Sequence, residues 1–337
     1  MSCSALLPVS VIMPVRNEER YLATAVARVL DQDYPGELEV VLAVGPSTDR
    51  TAEIAAELAA ADPRVRVVDN PTGRTPAGLN LAIAAARHDI LVRVDGHGEL
   101  MEGYLQAAVE TLQRTGAANV GGLMDAQGET PFEQAVAVAY TSRLGLGGSS
   151  FHLLDSPEGP AETVFLGSFR RDALDRVGGF DESMYRAQDW ELNYRLRAAG
   201  EEIWFTPRMR VRYRPRSTVG ALARQFFETG RWRREVIRRY PETASLRYLA
   251  PPTAVAGATV GAAVGLCGLV LRSRWATAAL LAPLGYLSLV TAGAAVMPRA
   301  MPLGVRLRLP LVLVVMHVCW GAGFLVGLGP QHSGPGQ

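Results

Sequence analysis

The stretch ILVRVDGHGEL, residues 90–100, ends a short apolar run in Asp95, with His97 two residues later. A carboxylate and an imidazole at that spacing can share a divalent ion that also holds a diphosphate. Such an ion stabilises the negative charge that develops on a leaving group. Imidazole at the second position suits Mn²⁺ better than Mg²⁺, which prefers oxygen ligands. A further carboxylate, Asp189, opens the stretch QDWELNYRLRAAG (188–200), whose Leu192, Leu196 and Ala199 share one helical face. A carboxylate so placed can act as general base toward an attacking hydroxyl, an effect worth ~10²–10⁴-fold. A helix N-terminus tends to lower its pKa, so burial or the neighbouring Glu191 has to offset that. The plainer roles are an N-cap for Asp189 and a lone surface histidine for His97.

Strands and helices alternate over the first hundred residues. VSVIMPV (9–15), LEVVLAV (38–44), VRVV (65–68) and ILVRV (90–94) read as strands; helices are expected up to Leu30, over 49–61 and over 76–87. That alternation implies an α/β fold with a mainly parallel sheet, whose ligands bind at the carboxyl ends of the strands. No GxGxxG follows the first strand, which disfavours a dehydrogenase. Beyond Met101 the pattern loosens into a helix at 102–115, a Gly-rich strand NVGGLMD, a polar loop over 141–162 and a strand VFLGSFR (164–170).

Four elements, MPVRNEE (13–19), GPSTDRT (45–51), VDGH (94–97) and QDWELNYRLRAAG, stand in an order and spacing that resembles the family 2 inverting glycosyltransferases with the GT-A fold. The resemblance covers roughly residues 8–200. NPTGRTPAGLN (70–80) followed by DxH in place of DxD looks like the succinoglycan-type membrane-anchored sugar transferases. It implies a GT-A (nucleotide-diphospho-sugar transferase) domain in which Pro14, Asn17, Glu18, Ser47, Asp49, Arg74, Asn80 and Asp95 bind the donor. It further implies Asp95 and His97 as ligands of Mn²⁺ or Mg²⁺, and Asp189 as the base. Proline fixes the backbone at position 14, while Asn17 and Glu18 can bond base and ribose. A helix-start turn would use Asn17 and Glu18 equally well, and an N-cap would use Ser47 and Asp49. The chain departs from the family pattern at Gln188, where relatives have Glu. It departs again at Val44 and Gly45, where many relatives place a base-contacting aspartate, which leaves UDP- and GDP-sugars both open.

A net charge of +1 excludes a global nucleic-acid footprint, and all 34 basic residues are arginine. Cys3, Cys267 and Cys319 form no metal or redox spacing. Three apolar segments, 250–271, 276–297 and 309–328, each match the ~20 residues of a transmembrane helix. The N-terminus has no signal-peptide pattern. Arg231, Arg233, Arg234, Arg238, Arg239 and Arg247 precede the first segment, and Arg299, Arg306 and Arg308 follow the second, against Arg272 and Arg274 in the loop between them. That bias places the catalytic domain in the cytoplasm and the tail outside a multi-pass inner-membrane protein. The expected organisation is a catalytic domain over 1–216, a basic juxtamembrane helix over 217–249, a membrane domain over 250–328 and a tail over 329–337. In ARQFFETGRWRREVIRRY (223–240), Phe226, Phe227, Trp232, Val236 and Ile237 are expected to face the membrane, with arginines free to meet the phosphate of a lipid-linked acceptor.

The expected function is metal-dependent inverting transfer of a sugar from a nucleotide diphosphate to a lipid-linked or membrane-associated acceptor, in cell-envelope polysaccharide or glycolipid synthesis. The alternatives are a non-catalytic membrane scaffold and a sugar nucleotidyltransferase. The latter would carry a Gly-rich loop where this chain has PVRNEE.

Overall fold

The computed structural model of the chain describes residues 7–297 and 301–329. Cys3, Arg299 and most of the tail lie outside the described residues. The chain divides into two compact units, Met1–Asp125 with Ser149–Tyr213, and Ala126–Gly148 with Arg214–Gln337. The segment 126–148, placed by the sequence reading within one domain ending near 216, thus groups with the C-terminal part.

In the first unit β1 (Val9–Val15), α1 (Leu22–Leu30), β2 (Leu38–Val44), α2 (Thr51–Ala61), β3 (Val65–Asp69), α3 (Thr75–Ala85) and β4 (Ile90–Arg93) alternate as the sequence implies. β1 lies between β2 and β4, all parallel, with Ile12 opposite both Val41 and Arg93. These strands are buried on both faces, which is why they read as apolar runs broken by one polar residue each, Ser10, Glu39 and Arg93. Val11, Met13, Val40, Leu42 and Val92 fill one face, and Ile12, Val41, Ala43 and Leu91 the other. The chain continues through β5 (Glu99–Leu100), α4 (Tyr104–Thr115), β6 (Asn119–Ala126), α5 (Pro131–Tyr140), β7 (Gly159–Pro160), β8 (Phe165–Arg170), α6 (Arg171–Val177), α7 (Gln188–Ala198) and β9 (Ile203–Tyr213). The sheet runs β3-β2-β1-β4-β8-β6-β9-β5, with β7 beside β9. Its later strands pair antiparallel: β4 with β8, β6 with β8, β5 with β9 and β7 with β9.

One buried carboxylate ties three of these elements together. Glu39 of β2, its side chain 5% exposed, accepts from Ser10 Oγ (2.6 Å), the Arg87 backbone N–H (2.6 Å) and Arg66 Nη1 (3.1 Å). Burial works to raise its pKa, but these donors and the Arg66 charge outweigh that and hold it below the usual value. A depressed carboxylate contributes stability above its unfolded pKa, about 4.3, and loses it as pH falls through the lower folded value. Glu39→Gln therefore costs about 1–3 kcal/mol near neutral pH. Its melting temperature should converge on that of the wild type in a series of melts taken down through pH 4.

The second unit holds α5, α8 (Val219–Arg239), α9 (Leu246–Val270), α10 (Arg274–Thr277), α11 (Leu281–Val296) and α12 (Leu303–Val326). α5 escaped the sequence reading, although its start carries a capping box, Thr130 with Glu133. Leu246–Val270, Arg274–Val296 and Leu303–Val326 are long and apolar enough to cross a membrane, with mean hydropathies of 1.8, 1.7 and 2.2. α8 and α12 approach to backbone contact: a Cβ on Gly230 would lie 2.0 Å from the Trp320 carbonyl oxygen, and one on Gly323 1.9 Å from that of Phe227. Phe226, Trp232 and Val236, expected to face lipid, are buried instead. The helix's arginines also have partners within the chain. Arg231 donates to the Gly327 carbonyl (2.8 Å), Arg234 to that of Leu325 (2.6 Å), and Arg238 and Arg239 hold Glu235.

Candidate active site

The carboxyl ends of β1, β2 and β4 open on one side of the sheet because the three strands run parallel. The loops after β1 and β2 are laced together there. Asn17 N–H donates to Ser47 Oγ (3.1 Å), Thr48 N–H to Asn17 Oδ1 (2.8 Å), Glu18 N–H to Thr51 Oγ1 (2.7 Å) and Glu19 N–H to Asp49 Oδ2 (3.2 Å). Asn17 sits at φ 56°, a left-handed conformation that asparagine tolerates better than most residues. Asp49 also accepts from the N–H and hydroxyl of Thr51 (3.0 and 2.6 Å), so α2 begins at Thr51 rather than at 49. Asn17, Ser47 and Asp49 are thus brought together, with their side chains engaged in fixing the rim.

The NPTGR loop closes another side. Asn70 N–H donates to the Val44 carbonyl (2.9 Å), and Gly73 (φ 61°) approaches Gly45 so closely that a Cβ on Gly45 would sit 2.8 Å from its Cα. Gly45 is therefore held to glycine by the close approach, and Gly73 by its left-handed backbone. Pro14, near the end of β1, packs beside Gly78 of α3. The Arg74 guanidinium lies 4.5 Å from the centre of the Tyr185 ring. Asn80 is engaged elsewhere: its amide donates to the Phe180 carbonyl and accepts from the Phe180 N–H, both at 2.9 Å, clamping the turn that leads toward α7.

α7 is pinned from several sides. Asn193 accepts from Asn119 of β6 (2.6 Å) and donates to Thr163 (2.9 Å), while Arg195 grips buried Glu191 through two bonds (2.6 and 2.8 Å). The helix starts from Ala187 at φ 60°, a strained position for a residue with a Cβ. This places Asp189 against a residue that the sequence reading passed over, Arg93. Its side chain is 4% exposed, and it bonds Asp189 Oδ1 through Nη1 and Asp95 Oδ1 through Nε and Nη2 (3.0 and 2.9 Å). The signal was present: an arginine inside an apolar strand, two residues before Asp95 and so on the same face of the strand.

The two carboxylates share one guanidinium, which favours the ionised form of both, yet their acidities shift in opposite directions. Burial works to raise Asp95, but the Arg93 charge and His97 hold it below the ordinary aspartate value. Burial also raises Asp189, opposed by Arg93 and aided by the negative charge of Asp95, and here the net shift is upward. Glu191, one of the two causes considered from sequence, is neutralised by Arg195, so burial carries the effect.

His97 Nδ1 lies 2.8 Å from Glu18 Oε1, and a Cβ on Gly96 would meet the Glu18 side chain. A proton on Nδ1 shared with a carboxylate leaves the lone pair on Nε2, the orientation in which imidazole ligates metals. Among the described residues no three His, Cys, Asp or Glu side chains form a metal-holding group. An ion carried on a diphosphate needs only one or two protein ligands, since the phosphates supply the rest. Asp95 and His97 have donor chemistry that fits such a shared ion.

The chain is 35% identical over 322 residues to the succinoglycan biosynthesis protein ExoA of Rhizobium meliloti (strain 1021), covering 93% of each. It is 27% identical over 241 residues to a dolichyl N-acetyl-alpha-D-glucosaminyl phosphate 3-beta-D-2,3-diacetamido-2,3-dideoxy-beta-D-glucuronosyltransferase of Methanococcus voltae, over 68% of this chain and 74% of that one. Mannosyltransferase PcManGT from Pyrobaculum calidifontis, solved with GDP-Man and Mn²⁺, shares the fold: TM-score 0.58 at 21% identity, over 94% of this chain and 87% of that one. The Glycosyl transferase family 2 model matches residues 10–178, a stretch that takes in the laced rim, Arg93, Asp95 and His97. A family match over half the chain, on a sheet of GT-A type, fits neither alternative as well: the chain belongs to glycosyl transferase family 2 and is a glycosyltransferase.

Proposed function

We propose that this glycosyltransferase moves a sugar, with inversion, from a UDP- or GDP-sugar to a lipid-linked or membrane-associated acceptor, in cell-envelope polysaccharide or glycolipid synthesis. The observation that carries the reading is the single buried guanidinium holding Asp95 and Asp189, 94 residues apart in sequence, on one charge. Asp189, raised by burial, takes the proton of the acceptor hydroxyl as that oxygen attacks the anomeric carbon; the bond to the nucleoside diphosphate breaks on the opposite face. Asp95 stays ionised and, with His97, would hold Mn²⁺ or Mg²⁺. Such an ion, when bound, offsets the charge that develops on the departing diphosphate. Pro14, Asn17, Glu18, Ser47, Asp49 and Arg74 border the donor's place, and Asn80 positions the turn before α7. The three apolar helices and the arginine bias support an inner-membrane protein with its catalytic domain on the cytoplasmic side.

Calorimetry with a panel of UDP- and GDP-sugars, with and without Mn²⁺, tests the assignment. One donor should bind in a metal-dependent manner, and Asp95→Ala should abolish the metal-dependent part. Turnover should disappear in excess EDTA and return with Mn²⁺ more fully than with Mg²⁺. Undiminished turnover in EDTA would sink the metal role.

A further inference from the structure

The contacts within the second unit depart from those that three successive antiparallel spans would make. α9 and the segment 274–296 pair antiparallel: Gly268 abuts Ala276 and Thr277, Gly265 abuts Leu280, and Gly261 abuts Ala282 and Pro283. Each arm of this hairpin rises ~35 Å, enough for a hydrocarbon core of ~30 Å. Val260, Leu266, Leu269, Leu284 and Leu289 stand exposed along it, and Trp275 lies near its tip beside Arg272 and Arg274.

α12 does not continue the zigzag. At the hairpin's base Arg247, near the start of α9, donates to the Leu146 carbonyl (3.1 Å), and the Leu144 side chain abuts Gly293, near the end of α11. The Leu144 carbonyl bonds His317 Nε2 at 2.7 Å and the Tyr286 hydroxyl lies 3.2 Å from His317 Nδ1, so the middle of α12 crosses the half of the hairpin nearer its base. A span starting there at Leu303 would carry His317 ~21 Å into the bilayer. Gly321, five residues from the end of α12, packs on Pro251 and Val255, near the start of α9. In a three-span path those two ends lie on opposite sides of the membrane.

The faces of α12 agree. Leu303, Leu307, Leu311, Val318 and Leu325 are exposed and recur at steps of four and seven residues, one stripe of a helix. Gly321, which meets the hairpin, falls between Val318 and Leu325 on that stripe. Val305, Leu309, Val312 and Met316, on the other side, are buried, and α5 and α8 pack along the helix. Of its most apolar window 33% is buried within the chain, against 17% and 11% for the hairpin arms.

We propose that α9 and α11 cross the membrane as one hairpin, and that α12 lies in the plane of the membrane surface. Its leucine stripe enters the boundary of the hydrocarbon and its other face rests on α5 and α8. The tail then emerges on the same side as the residues before α9, not outside as the run of apolar segments implies.

Single cysteines at Glu57, Ser273 and Ser333, in a chain carrying Cys3→Ser, Cys267→Ala and Cys319→Ala, test the path. Each full-length variant is labelled with a membrane-impermeant maleimide in right-side-out and in inverted vesicles, with detergent giving the total reactive thiol. Glu57→Cys and Ser333→Cys should label from one side and Ser273→Cys from the other. Ser333→Cys labelling opposite Glu57→Cys overturns the in-plane helix, and Ser273→Cys labelling with Glu57→Cys overturns the crossing hairpin. A C-terminal epitope tag on the wild-type chain, probed by protease in the same vesicles, reads the same side with the native cysteines in place.

Discussion

Asp189→Asn should bind the donor sugar nucleotide as the wild type does and lose turnover by ~10²–10⁴-fold. The amide keeps an oxygen for Arg93 and nearly the same shape, but it cannot take a proton. Stability supplies the control. Burial raises Asp189 above its ordinary value, so its ionised form is disfavoured in the fold. A raised carboxylate contributes stability at low pH and loses it as pH rises through the folded pKa. Near neutral pH the amide should therefore melt no lower than the wild type, and a fall in turnover cannot be ascribed to unfolding. In the wild type, the acidic limb of kcat/KM should lie above the ordinary aspartate range, with the rate rising as pH rises and the base ionises. A wild-type rate in Asp189→Asn would reject the assignment.

Arg93→Met should be nearly as damaging, with a different signature. Arg93 opposes the upward shift of Asp189, so its removal raises that carboxyl further and moves the acidic limb of kcat/KM to higher pH. The positions of Asp95 and Asp189 also lose their common tether, and a displacement of about 1 Å can cost ~10²-fold. The stability loss should be roughly 1–3 kcal/mol, smaller than for a fully buried pair because both carboxylates keep an edge in water. Arg93→Lys restores a positive charge without the planar fork that bonds two carboxylates at once. It should recover the pH profile more completely than the rate. The pH-rate profiles of the three proteins, with a KM and kcat for each, check both parts.

Much of this was legible beforehand because its physics is local. Strands buried on both faces are mostly apolar, so β1, β2 and β4 declared themselves despite Ser10, Glu39 and Arg93, and the alternation with helices dictated parallel pairing and strand ends on one side. Asp95 and His97 sit two residues apart just past a strand, so their proximity needs no tertiary argument. α5 was missed although its capping box stood in the sequence, and the long β9 strand was missed although Met209 and Val211 alternate with Arg208, Arg210 and Arg212 in the period-two pattern of a half-buried strand.

The remainder required packing. Nothing near Arg93 in the sequence says that Asp189 shares its charge, since that contact joins β4 to α7 across 96 residues. Asn80 reads as a donor ligand until its amide is seen closing the turn at Phe180. α12 shows the limit most plainly. Hydropathy sums the two faces of a helix, and one face against protein plus one against lipid gives the same total as a span surrounded by lipid. Composition by itself determined that α12 is apolar along its length; which neighbours cover each face, and hence which way the chain leaves it, was decided by tertiary contacts at Leu144, Pro251 and Gly321.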